Sequence, residues 1–321
     1  MDQSVMQNGW QAEKLDDLRK LADRQDTDCL MIVEGGQTVF TYGDVTRKYL
    51  CHSIRKSFLA AIMGPEIRGG QIDPGATMAE LGIDDREGLS RVEKAATVYD
   101  LLTARSGIYH AAGYETEWMQ LIKEPRHSHA PGTFWCYNNW DFNALGTIFV
   151  QSTGQSVAEA FADRIAGPLG MEDFSLEGPS PDGWTESFDT SVHNAYPFRM
   201  SSRDLARFGQ MFLQMGIWNG RQILPEGWAA ENVMPYSHAG PAGAYGYMWW
   251  LERDGVMFPG VCTPRGSYSA VGAGGHYCMV IPGHDLVIIH RVDTEQPDKV
   301  VSRHGFGRIV AAVLAARGIT P

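Results

Sequence analysis

A chain of 321 residues with 44% apolar residues is long enough to bury a large core, in one domain or two interleaved lobes. Its net charge of -11 comes without any Lys/Arg cluster, which excludes nucleic acid as a partner and disfavours polyanionic substrates. Five cysteines, odd in number and without Cys-x-x-Cys spacing, exclude a disulfide framework and a structural zinc site.

The first ten residues, Met1 to Trp10, hold no basic region followed by an apolar stretch, so no secretion signal is expected and the protein is expected to be cytoplasmic. No apolar run reaches the ~18 residues of a membrane span. Residues 10 to 24 have helical spacing. Asp28–Glu34 and Gln37–Tyr42 around Gly35-Gly36 predict a β-hairpin. Cys51-His-Ser53-Ile-Arg-Lys56 then opens an apolar helix expected to stop at Gly64-Pro65. Further helices are predicted at Ala76–Leu81, Val98–Leu102, Phe142–Gln151 and Val157–Ile165, and Ser201-Ser202 caps another over Arg203–Met215. Strand-like runs follow at Tyr245–Leu251, Tyr268–Val271, Tyr277–Ile281 and Leu286–Val292, and a last amphipathic helix lies near Gly307–Ala316. Strands, then helices, then strands predict an α+β fold in which an antiparallel sheet flanked by helices is split by an inserted all-helical lobe. The expected division is a sheet domain from 1–64 and 201–321 and a helical domain from 65–200, with the site between them.

Ser53 and Lys56 share one face of a helix start, where a hydroxyl and an amine can meet. The amine activates the hydroxyl only if it is neutral, which burial or nearby cations would bring about. The free N–H groups of the turn favour an oxyanion. Alone, the pair is as well explained by a serine cap and a solvated lysine. Tyr137-Asn138-Asn139 is the chain's only Tyr-x-Asn. Its phenol, held as phenolate beside an ammonium, would deprotonate Ser53 and later protonate the leaving group, with Asn139 bonding to substrate or to Lys56. The third element is Gly272-Ala-Gly274-Gly275-His276, read as glycines on an edge strand that approach a ligand, against the plainer reading of a hairpin bend.

These three elements resemble the serine β-lactamase and penicillin-binding-protein superfamily, in its class C-like branch with esterases and nylon-oligomer hydrolases. Leu101–Ile108, Met200–Gly209, Pro225–Trp228 and Gly272–Asp285 are similar to further segments of that branch. The resemblance implies a β-lactamase/transpeptidase-like α/β sandwich and an acyl-enzyme on Ser53. Lys56 would be its activator, Tyr137 the general base and acid, and Asn139 a substrate contact. Ala273-Gly274-Gly275 stands where relatives carry a cationic third motif, which tilts the expectation from β-lactams towards a small neutral or cationic ester or amide. The backbone N–H groups of Ser53 and His276 would polarise the carbonyl, with Gly274 and Gly275 alongside.

No cofactor is expected. His127-Ser-His129 offers two metal ligands without an acidic partner. Trp135, Trp140, Trp249 and Trp250 read first as core, but Trp135 and Trp140 flank Tyr137 closely enough to make one of them, Trp135, a candidate substrate contact. His110 is a candidate for the cleft wall, and Arg55 and Ser57 read as bystanders. β-Lactam hydrolysis, acyl transfer to an alcohol or amine, and a catalytically silent peptide-binding domain are the alternatives. Oligomeric state is not legible.

Overall fold

The computed structural model describes residues 9–319, so most of the segment behind the no-leader reading, Met1 to Asn8, lies outside the described residues. Its centre is an eight-stranded sheet. In chain order the strands are β1 (Cys29–Glu34), β2 (Gln37–Tyr42), β3 (Ser237–His238), β4 (Ala244–Tyr245), β5 (Trp250–Leu251), β6 (Tyr268–Gly272), β7 (His276–Ile281) and β8 (Leu286–Arg291). They lie in the order β2-β1-β8-β7-β6-β5-β4-β3, and every pairing is antiparallel. Five helices frame the argument: α1 (Ala12–Asp23), α2 (Arg55–Arg68), α3 (Asn139–Thr153), α4 (Ser202–Leu213) and α5 (Arg303–Arg317). No helix of the described residues is long and apolar enough to cross a membrane.

The sheet is buried on both faces, so β7 is buried throughout and apolar after His276 rather than alternating. Tyr277 stacks on Phe306 of α5, with ring centroids 3.8 Å apart. On the opposite face Cys278 meets α4 at Gly209, where a Cβ would stand 2.9 Å from the Cys278 sulfur and 2.7 Å from Val287 Cγ1. The β1–β2 hairpin turns at Gly35 and Gly36, both left-handed, as its Gly-Gly pair predicts.

Four elements differ from the sequence expectation. The helix after Ser53 runs through Gly64-Pro65 to Arg68. The indole N–H of Trp228 donates to Ala60 O (2.9 Å), a carbonyl at the turn that Pro65 disturbs, and Gly64 leaves room for the ring. Ala76–Leu81 is not helical, because Met78 and Ala79 spend their N–H groups on Ala96 O and Lys94 O. Tyr245–Leu251 is a tight hairpin, β4 and β5, with Met248 left-handed at its turn. The last helix begins at Arg303, where Ser302 Oγ accepts from Gly305 N–H, and Gly307 lets the helix backbone press against Pro259 O. Between α2 and α4 the chain is mainly helix and turn, with one short hairpin, Glu186–Phe188 against Ser191–Ala195.

Candidate active site

Ser53 lies in a single 3-10 turn, His52–Ile54, that leads into α2. His52 has φ 47°, a left-handed conformation that costs a non-glycine residue energy. The turn is held from the sheet side by Gly272, whose Cβ, if present, would lie 2.6 Å from Cys51 O and 3.3 Å from His52 Cβ.

Lys56 Nζ stands 2.6 Å from Ser53 Oγ and 2.7 Å from Tyr137 Oη, so the structure brings the three polar groups together. The amine is 1% exposed and sits over the rings of Tyr137 and Phe142, at 4.6 and 4.9 Å. Burial pushes its pKa well below the ordinary lysine value, and the Arg55 charge pushes the same way, against Glu115. Burial drives the Tyr137 phenol up to about 12, although Ser53 and Arg55 pull it down. With no carboxylate bonded to either, both groups favour the neutral form, an amine with a free lone pair beside an intact phenol. Burial thus favours the neutral pair over the phenolate–ammonium pair considered from sequence.

Arg55, read as a bystander, is a buried neighbour of this pair. Its guanidinium donates to Asn143 Oδ1 (2.9 Å) and lies 4.2 Å from the Tyr196 ring centre. Ser57 donates to Met248 O and ties the β4–β5 turn to α2. Asn139 does not reach Lys56. Its Nδ2 donates to Gly113 O (3.0 Å) and Tyr114 O (2.6 Å), and its buried Oδ1 has no partner among the described residues. It pins the 113–114 loop and is absent from the cleft lining.

The cleft at Ser53 encloses about 700 Å³. Trp118, Met119, Trp135, Trp250, Val271 and Pro241 supply most of its apolar wall, with Tyr137 beside Ser53. Of the tryptophans flanking Tyr137, Trp135 lines the cleft, whereas Trp140 is fully buried with its indole N–H donated to Asp85. A larger hollow of about 870 Å³ around Glu252, Cys262 and Arg265 contains none of the three polar groups.

Gly274 and Gly275 line the cleft, but as the turn of the β6–β7 hairpin, at φ 82° and 108°. Their carbonyls are spent on Val301 N–H (3.0 Å) and the His290 ring (2.5 Å). β6 is flanked by β5 only at Tyr268 and Ser269, and its Ala270–Gly272 end is open on that side. His276 is corrected too: it is fully buried, and its amide faces Gly272 within the ladder. The strand register points to another donor. Glu252 N–H bonds to Ser267 O, and Trp250 pairs with Ser269, so by alternation Ser269 and Val271 turn their amides towards β5. β5 begins opposite Ser269, so its pairing stops short of Val271 and Ala273, which both line the cleft.

A family model described as Beta-lactamase matches residues 18–312. The chain belongs to the beta-lactamase family. The 6-aminohexanoate-dimer hydrolase of Paenarthrobacter ureafaciens is 23% identical over 340 aligned residues, covering 92% of this chain and 79% of that one. A class C beta-lactamase solved in complex with cefoxitin superposes with a TM-score of 0.70 at 16% identity, over 95% of this chain and 98% of the other. EstCE1, a hydrolase with promiscuous acyltransferase activity, superposes with a TM-score of 0.67 at 14% identity, over 97% and 100%. These two superpositions establish the shared fold.

In this beta-lactamase-family protein the cleft is not free of positive charge, as Ala273-Gly274-Gly275 had suggested. Arg303, at the first turn of α5, lines it. Its guanidinium packs over Trp250 and Phe258 (5.2 and 5.1 Å), and its one side-chain hydrogen bond among the described residues goes to Met257 O. It was illegible in the sequence because only the fold carries it across some 250 residues to Ser53. His110 is buried 3.4 Å from Glu93, outside the cleft lining. His129 stacks on Phe134, and His127 approaches Glu93 at 3.9 Å. Among the described residues no group of three His, Cys, Asp or Glu side chains is placed to hold a metal ion.

Proposed function

We propose that this protein is a serine hydrolase that forms an acyl-enzyme on Ser53 from a small carboxylic ester or amide. The observation that carries the reading is the buried Lys56 amine within hydrogen-bond reach of both Ser53 Oγ and Tyr137 Oη at the cleft. Lys56 takes the Ser53 proton as Oγ attacks the substrate carbonyl carbon. The resulting oxyanion is received by the N–H groups of Ser53 and Val271. The Lys56 ammonium passes its proton through the Tyr137 phenol to the leaving alcohol or amine, and the carbonyl re-forms as that bond breaks. Water, activated by the same amine, then releases the acid. Membership of the beta-lactamase family and the overall similarity to a 6-aminohexanoate-dimer hydrolase support this reading.

The test is intact-mass analysis after treatment with a fluorophosphonate and, separately, with a penicillin. One fluorophosphonate adduct per chain is expected, and a wild-type protein that never labels sinks the proposal. A stable penicillin adduct, or rapid penicillin turnover, would replace the ester or amide preference with a β-lactam.

Arg303 changes the expected substrate. An apolar cleft lined by one cation favours a substrate with an anionic group, not the neutral or cationic one expected from sequence. Arg303→Met keeps the aliphatic bulk and removes the charge. At about 1.5–3 kcal/mol for a charge-assisted hydrogen bond, KM for a carboxylate-bearing ester should rise about tenfold or more. KM for an uncharged ester of equal size should stay within about twofold on the same scale; equal effects on both would assign Arg303 to packing alone.

A further inference from the structure

Behind the Ser53 turn lies a polar chain that the proposed chemistry does not use. Arg291 is fully buried on β8, and its Nε donates to His276 Nδ1 at 3.0 Å. A guanidinium can only donate, so His276 accepts at Nδ1 and carries its proton on Nε2. That Nε2 lies 3.4 Å from Thr294 Oγ1, and Thr294 Oγ1 lies 2.7 Å from His52 Nε2. The hydroxyl proton of Thr294 is therefore free for His52 Nε2. The two imidazoles stand 5.1 Å apart, centre to centre. At its far end Arg291 Nη2 also donates to Tyr49 O (2.9 Å), which precedes the turn in the chain.

The chain joins three backbone segments: the turn Cys51–Ile54, the β6–β7 hairpin through His276, and the exit of β8 through Arg291 and Thr294. Both hydrogen-bond donors assigned to the oxyanion stand on the first two, Ser53 on the turn and Val271 on β6. Packing follows the same path. A Cβ on Gly274 would meet Thr294 Cγ2 at 2.3 Å, and one on Gly272 would meet His276 Cβ at 3.0 Å. His52 is the strained link, since its backbone is left-handed and its ring is anchored to Thr294. Strain of this kind persists where surrounding groups hold it.

We infer that His52, Thr294, His276 and Arg291 form a positioning strut that fixes the separation of the Ser53 and Val271 amides, with Thr294 and His52 as positioning residues for the acylation step. The inference rests on the acyl-enzyme reading above. None of the four touches the reacting atoms. A strut of this type affects the transition state, where charge on the oxygen requires both donors, more than substrate binding in the apolar cleft.

The test compares Thr294→Val, which is nearly isosteric and lacks the hydroxyl, with Thr294→Ser, which keeps it. With p-nitrophenyl butyrate as probe, Thr294→Val should lower kcat about 10- to 100-fold with KM within about twofold, less than the roughly 10²- to 10³-fold of an oxyanion donor removed outright. Thr294→Ser should restore at least half of wild-type kcat. His52→Asn is the second variant. Asparagine tolerates the left-handed conformation but is too short to reach Thr294, so the same kcat loss is expected. The double variant should be no worse than either single, since both cut one chain. Wild-type kcat in Thr294→Val or His52→Asn, equal loss in Thr294→Ser, or additive losses would overturn the strut. Fluorophosphonate labelling of the wild type separates the two readings. If the wild type does not label, the acyl-enzyme proposal fails; if wild type and Thr294→Val label at the same rate, the strut alone fails.

Discussion

Ser53→Ala is expected to remove the fluorophosphonate adduct altogether and to lower ester turnover by about 10⁴-fold or more, the scale seen when a covalent nucleophile is deleted. The fold should survive, because Ser53 is half-buried and its side-chain contact is with Lys56. Removing the hydroxyl takes one hydrogen-bond partner from the Lys56 amine and leaves it the one to Tyr137 Oη. The measurements are intact mass and steady-state rate with one neutral and one carboxylate-bearing ester. Turnover within about tenfold of wild type, beside an expected loss of about 10⁴-fold, would mean that the cleft activates water directly and that no acyl-enzyme forms.

Tyr137→Phe should cost about 10²- to 10⁴-fold in kcat, the usual share of one acid–base group. The pH profile separates the two candidate bases. The Lys56 pKa is depressed, so the neutral amine that acts as base is present above that pKa. Activity therefore falls as pH drops through it, and the acid limb of kcat/KM belongs to Lys56. Tyr137 keeps its proton up to about 12 and adds no limb near neutrality. The residual activity of Tyr137→Phe should retain that acid limb, moved only slightly by loss of the neighbouring hydroxyl. If the limb disappears in Tyr137→Phe, the phenol is the base and the neutral pair is wrong. Near-normal kcat in that variant would leave the whole proton path to Lys56.

Ser53, Lys56 and Tyr137 were readable because their information is local. Two lie one helical turn apart, and the third stands in the chain's only Tyr-x-Asn. The hairpins and the apolar β7 and β8 were readable for the same reason, as short periodic runs bounded by turn residues. What escaped was set by contacts between distant segments. Arg55 sits in the same apolar helix start as Lys56, and no local pattern shows that it is buried between Tyr114 and Tyr196. Arg303 reaches the cleft only because α5 starts earlier than its glycines suggested. The choice between His276 on β7 and Val271 on β6 depends on which amides each strand turns into its ladder, a parity that shifts with a single step of register. The glycines at 274 and 275 carried a true signal of close approach, though what approaches them is Thr294 and Val301 as well as the cleft.

The place of β1 in the sheet has a consequence for how the molecule comes into being. β1 is hydrogen-bonded to β8, with Cys29 opposite Arg291 and Glu34 opposite Leu286, across more than 250 residues of intervening chain. A ribosome must therefore synthesise the chain through β8 before the first hairpin can close against its neighbour. Until then Leu30, Ile32 and Phe40 have no permanent shelter, and the turn bearing Ser53 has no β6–β7 hairpin behind it. An emerging chain would hold its nucleophile and its lysine long before it could use them, and would be most prone to aggregate over that interval.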